Sequence, residues 1–319
     1  MLEAEKWKRE KLAQTSIIDL CTCVRVSGCR MDEREDHLQQ VIRKSMDIID
    51  TELQNDGKLL MIVNSYTEAR AAAKYLNSQL HDEQSAYMVH SSDQFENDET
   101  AVRRGEIGSF DKHPARVLIA PAQAIERGYN IVNENGHSTF GSVFFLVRPM
   151  AVPDEITSKS AKLNGIIEEL FNAKEYPNAF TKSDEIRQEA TKQWHIMEQQ
   201  SRKSLRYLNE TMRTDVTAGL FVLILQIFGR LARITEIDRP APRIYFADGA
   251  FRTSPDSPDG YDCLNELRSY LEKMMQDNDC GEIAKTLYAP FYEAFDKGVK
   301  ENVYTDYSDG DDAEDEYSF

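Results

Sequence analysis

The chain has 319 residues, 41% of them hydrophobic, which is enough to bury one full α/β domain with appendages. Its formal net charge of −17 excludes a generally basic nucleic-acid binder, so any affinity for nucleic acid has to come from a local patch. No window looks apolar for long enough to span a bilayer, and Met1 to Lys11 is charged and amphipathic without a signal-peptide core, so a cytoplasmic protein with no membrane partner is expected.

Residues 1–55 read as a lead-in segment whose first helix spans Leu38 to Leu53. Within it Cys21, Cys23 and Cys29 have only His37 nearby as a fourth ligand, at no usual spacing, so the cysteines are expected to be reduced and structural and no metal is expected. Lys58 to Tyr66 is a buried strand ending in polar residues, and Thr67 to Leu80 continues as an Ala-rich helix with Thr67 as its cap. Arg116 to Pro121 is a second short buried strand, followed by a loop through Gln123 to Arg127-Gly-Tyr-Asn-Ile-Val132. A strand over Ser142 to Val147 comes next, and residues 151–214 form a helical insertion with helices over Asp154 to Phe171 and Ser183 to Arg213. A very apolar helix covers Val216 to Ile237, and Pro240 to Ala247 reads as a closing edge strand. Residues 251–303 make a helical extension with Leu264, Leu267, Leu271 and Met274 on one face. Residues 304–319 carry −7 of the charge, leaving −10 on the rest, and have the composition of a disordered tail. Residues 56–150 and 215–250 together follow the grammar of a parallel α/β lobe, whose functional loops collect at the carboxyl ends of the strands.

Within the apolar helix, Gln226, Arg230 and Arg233 recur at i, i+4 and i+7 and share one face, with Gly229 among them. Arginine presents a rigid fork of donors matched to phosphate oxygens, so two of them beside a glycine suit an anion. Pairing of both with acidic residues at a helix edge accounts for the same spacing.

Lys58 to Leu80, Arg116 to Val132 and Gln226 to Arg233, in this order, resemble motifs IV, V and VI of the second RecA-like lobe of superfamily 2 helicases and translocases. The likeness covers Lys58 to Asp248, and His90-Ser-Ser with Ala101 to Phe110 stands where that family places a strand, a polar turn and a short helix. Gln226 to Arg233 has the form Gln-x-x-Gly-Arg-x-x-Arg. The resemblance implies a RecA-like helicase C-terminal domain in which Arg233 is an arginine finger, Arg230 its companion and Gln226 an orienting group. It implies further that Gly128, Asn130 and Gly229 lie against ATP with Mg²⁺, and that Ser65 and Tyr66 contact a DNA or RNA backbone. Asn130 stands where many relatives carry Asp, and Pro121 where they often carry a Thr that touches nucleic acid, a hydroxyl contact that proline does not make. A helix entry explains the Ser-Tyr pair as well. Arg202, Lys203, Arg206 and Arg213 with Tyr207 form the best local basic patch, and a solvated helix face explains the same residues.

No Gly-x-x-x-x-Gly-Lys-Ser/Thr loop occurs, and Asp154-Glu155 follows Pro153 instead of ending an apolar strand, so it reads as a helix start rather than an acidic Mg²⁺ pair. The chain thus carries half of a nucleotide site and alone is expected to be inactive. Two functions follow. It is the second lobe of a motor that hydrolyses ATP only with an N-terminal RecA-like lobe, or it is a catalytically inactive interaction or regulatory module.

Overall fold

The computed structural model describes residues 14–55, 57–80, 85–89, 100–126, 131–150, 156–173, 175–202, 210–232, 240–253 and 261–300. Seven strands, β1 (Ser16–Asp19), β2 (Lys58–Val63), β3 (Ser85–Val89), β4 (Ala101–Arg103), β5 (Val117–Pro121), β6 (Phe140–Phe145) and β7 (Arg243–Phe246), form one sheet in the order β1-β7-β6-β2-β5-β3-β4. Every pairing is parallel. A parallel sheet is covered on both faces, which is why β5, and β2 after Lys58, are unbroken apolar runs.

Alternation along β2 divides the core in two. Leu60 and Ile62 join one buried cluster with α7 (Glu210–Leu231), α8 (Cys263–Gln276) and α9 (Gly281–Lys300). Leu59, Met61 and Val63 join the other, with α1 (Arg34–Lys44), α2 (Met46–Leu53) and α3 (Tyr66–Gln79). The remaining helices are α4 (Ala122–Glu126), directly after β5, and the pair α5 (Ile156–Ala173) and α6 (Ala179–Arg202), which pack on each other. Lys162 of α5 pairs with Asp215 of α7 at 2.6 Å, tying the pair to the lobe.

From β2 the chain moves outward through α3 to β3 and β4, returns to β5 at one side of β2, then crosses to β6 at its other side. The carboxyl ends of β5 and β2 therefore flank the point where the winding reverses, the usual place for a ligand in such sheets.

Several expectations are corrected. The strand over residues 240–247 is interior, not an edge, because β1 pairs with β7 from outside, so the lead-in segment contributes to the sheet of the lobe itself. The helix expected over Leu38 to Leu53 is broken at Ser45, whose Oγ donates to the Val41 carbonyl at 2.9 Å. Ala101 to Phe110 begins with strand β4 and continues as a 3-10 stretch, Arg104–Lys112. Gln123 lies on the short helix α4 instead of a loop. The second insertion helix starts earlier than expected, at Ala179, and α7 starts earlier too, at Glu210.

The segment Arg213–Leu231 of α7 is long and apolar enough to cross a membrane by length and composition, contrary to expectation. Its packing gives that composition another cause. Leu220, Phe221, Ile224, Ile227, Phe228 and Leu231 are buried in the cluster that covers one face of the sheet.

Candidate functional site

Ser65 ends the polar turn after β2 and caps α3, which corrects the expectation of Thr67. Its backbone is extended (φ −141°, ψ 160°), its Oγ accepts from the Glu68 N–H at 3.1 Å, and Glu68 accepts in return from the N–H groups of Ser65 at 3.1 Å and Asn64 at 2.7 Å. The sequence Ser65-Tyr-Thr-Glu68 is a capping box. Arg34 pairs with Glu68 from α1 and fixes the turn from behind. The Ser65 oxygen is thus committed to the helix, while its hydroxyl proton remains a donor. Tyr66 is half-buried and packs on the core cluster beneath α7.

On α7 the stripe is partly resolved into roles. Gln226 is half-buried, and its Oε1 is enclosed without a hydrogen-bond partner. Gly229 is exposed, and nothing lies within 4 Å of the place a Cβ would occupy, so its surface is open. Arg230 is 6% exposed and engaged within the chain. It is therefore no free cation, because a permanent charge on so apolar a helix needs compensation where it sits. Arg233 lies outside the described residues, as do Gly128, Asn130, Lys203, Arg206, Tyr207, Asp154, Glu155, His90 and the tail. Arg202 closes α6, but its side chain is not among those described.

The structure does bring two of the motif segments together. The short helix α4 packs against α7, so the stretch that follows β5 and the helix carrying Gln226 and Arg230 are neighbours although far apart in the chain. On that helix the Gln226 oxygen is sealed inside the fold, whereas the backbone at Gly229 lies open at the surface.

A second set of polar residues, unnoticed in the sequence, lies at the carboxyl edge of β1, β6 and β7. Asp248 is fully buried, and its carboxylate accepts four backbone N–H groups. Oδ1 takes those of Val26 and Ala250, both at 2.9 Å, and Oδ2 takes those of Ser27 at 3.1 Å and Arg148 at 2.8 Å. Asn64 joins this edge to the end of β2 by donating to the Arg148 carbonyl at 3.0 Å. Beside it, Arg252 pairs with Asp19 at 2.7 Å and with Asp262 at 3.3 Å. Burial pushes the Cys21 and Cys263 thiols up, the latter to about 12, so both stay neutral. The signal was present in Phe144-Phe-Leu-Val-Arg148, where an arginine ends an otherwise apolar run, and in Phe246-Ala-Asp248. Among the described residues no three His, Cys, Asp or Glu side chains converge as metal ligands.

No family model matches this sequence, and no curated protein does.

Proposed function

We propose that this chain is the second RecA-like lobe of an ATP-dependent nucleic-acid helicase or translocase. The juxtaposition of α4 with α7 carries this reading, because it unites the segments resembling motifs V and VI on one face of a parallel α/β sheet. A first lobe, absent from this chain, holds ATP and Mg²⁺. Arg233 reaches the γ-phosphate across the interface, Arg230 supports the helix from its buried position, and Gln226 orients the helix backbone and Arg233 from its half-buried position. Charge on the equatorial oxygens of a transferring phosphoryl group is stabilised by fixed cations in a closed site, and such a finger contributes on the order of 10³ to 10⁵ in rate. DNA or RNA crosses the carboxyl edge near Ser65 and Tyr66.

Arg233→Ala tests the assignment. ATP turnover in the presence of the first lobe falls by about 10³ or more while the thermal melt stays unchanged; full turnover by the variant refutes the finger.

The burial of Arg230 favours one alternative, an inactive interaction module in which that side chain only holds the core. A lobe of that kind binds its partner without conferring any ATPase.

A further inference from the structure

Two guanidinium groups at the carboxyl edge form no ion pair with a carboxylate among the described residues, although the Asp248 carboxylate lies close to both. Arg148 is 7% exposed; its Nη1 donates to the Ala250 carbonyl at 2.9 Å, and its Nε is enclosed with no hydrogen-bond partner. Arg25 is half-buried, and its Nη1 donates to the Arg252 carbonyl at 3.0 Å. Both therefore bind the same turn, residues 250–252, and they sense each other, since burial and then the neighbouring Arg148 lower the Arg25 pKa against a smaller opposing pull from the Asp248 carboxylate. The carboxylates of this edge are occupied elsewhere, Asp248 by four backbone N–H groups and Asp19 and Asp262 by Arg252. Formal charge across these three arginines and three aspartates balances, so net charge alone does not call for an anion. Unused donors do. Each guanidinium has five N–H donors, and among the described residues each makes one hydrogen bond, to a main-chain carbonyl. Of the two, Arg148 is the buried cation, with its Nε enclosed and unmatched, and half-buried Arg25 carries the unused donors that an anion from outside can reach.

We infer that Arg25, backed by the buried charge of Arg148, forms a phosphate-binding site at the carboxyl edge of β1, β6 and β7. Phosphate is the fitting anion because its oxygens accept a planar fork of donors two at a time. Arg25 makes the contact, and Arg148 strengthens it through the low dielectric beneath. Asn64 links the site to the turn at Ser65, so in the proposed motor the group bound is a backbone phosphate of the single strand that crosses this edge. That last assignment rests on the proposed function; the phosphate chemistry does not.

The test uses the full chain, a labelled single-stranded oligonucleotide followed by fluorescence anisotropy over a range of salt, and inorganic phosphate followed by calorimetry. Arg25→Gln retains a donor for the Arg252 carbonyl; it is expected to weaken the oligonucleotide roughly tenfold and to lower the salt slope by about 0.7, while Arg25→Lys restores the slope. Heat from inorganic phosphate disappears in Arg25→Gln. Equal affinity and slope for the variant and the parent overturn the site and leave the nucleic-acid reading standing. A parent chain that ignores the oligonucleotide yet binds inorganic phosphate through Arg25 supports the site and overturns its assignment to a strand.

Discussion

Asp248 organises the carboxyl edge through four main-chain hydrogen bonds, linking the loop after β1, the end of β6 and the turn after β7. Asp248→Ala leaves four enclosed N–H groups without an acceptor, and each such group costs about 1–3 kcal/mol before relaxation and water entry. The expected loss is at least about 3 kcal/mol in urea unfolding; a loss under about 1 kcal/mol contradicts the role given to this carboxylate. Cys263 offers a test at the same scale through pH. Its ordinary pKa of 9.0 rises to about 12 in the fold because burial penalises the thiolate. The folded state therefore holds its proton more tightly than the unfolded chain, and the stability this provides is complete below pH 9 and lost progressively between pH 9 and about 12. Cys263→Ala should flatten that part of the stability profile, and an unchanged alkaline slope refutes the cause.

At the scale of elements, two substitutions separate structure from function. Ser65→Ala removes the cap of α3 and is expected to cost about 1 kcal/mol with or without nucleic acid, which urea titration with and without an oligonucleotide measures. An effect confined to the bound state would mean that the hydroxyl serves the ligand rather than the helix. Gly298 lets α9 lie directly on β1, since a Cβ there would stand 1.9 Å from the Ile17 carbonyl oxygen. Gly298→Ala must push α9 off the sheet, with an expected loss of about 2 kcal/mol or more in urea unfolding. A neutral effect would show that the β1–α9 contact is not held as described. These elements also mark what the sequence could reveal. The apolar runs Leu59 to Val63 of β2 and Val117 to Pro121 of β5 are legible because both faces are buried. β1 has only four residues, and its place beside β7 depends on a pairing across most of the chain, which no local pattern encodes. Ser65 was legible in principle, through Glu68 three residues on. The stripe on α7 was visible as a period, whereas the burial of Arg230 depends on packing that the period does not report.

On the scale of the whole molecule, ligands of parallel sheets covered on both faces usually bind at the carboxyl ends of the strands, and the proposed role makes that edge one wall of a shared site. In the proposed role the chain supplies half of a nucleotide site, so its activity would depend on a partner. The central measurement is ATP hydrolysis by this chain alone and after addition of a separately produced RecA-like lobe bearing a Gly-x-x-x-x-Gly-Lys-Ser/Thr loop, each with and without single-stranded nucleic acid. Turnover that appears only when both lobes are present, and rises with nucleic acid, is the predicted result. No turnover in any mixture, from a first lobe that is folded and binds ATP, contradicts the motor and leaves the interaction module.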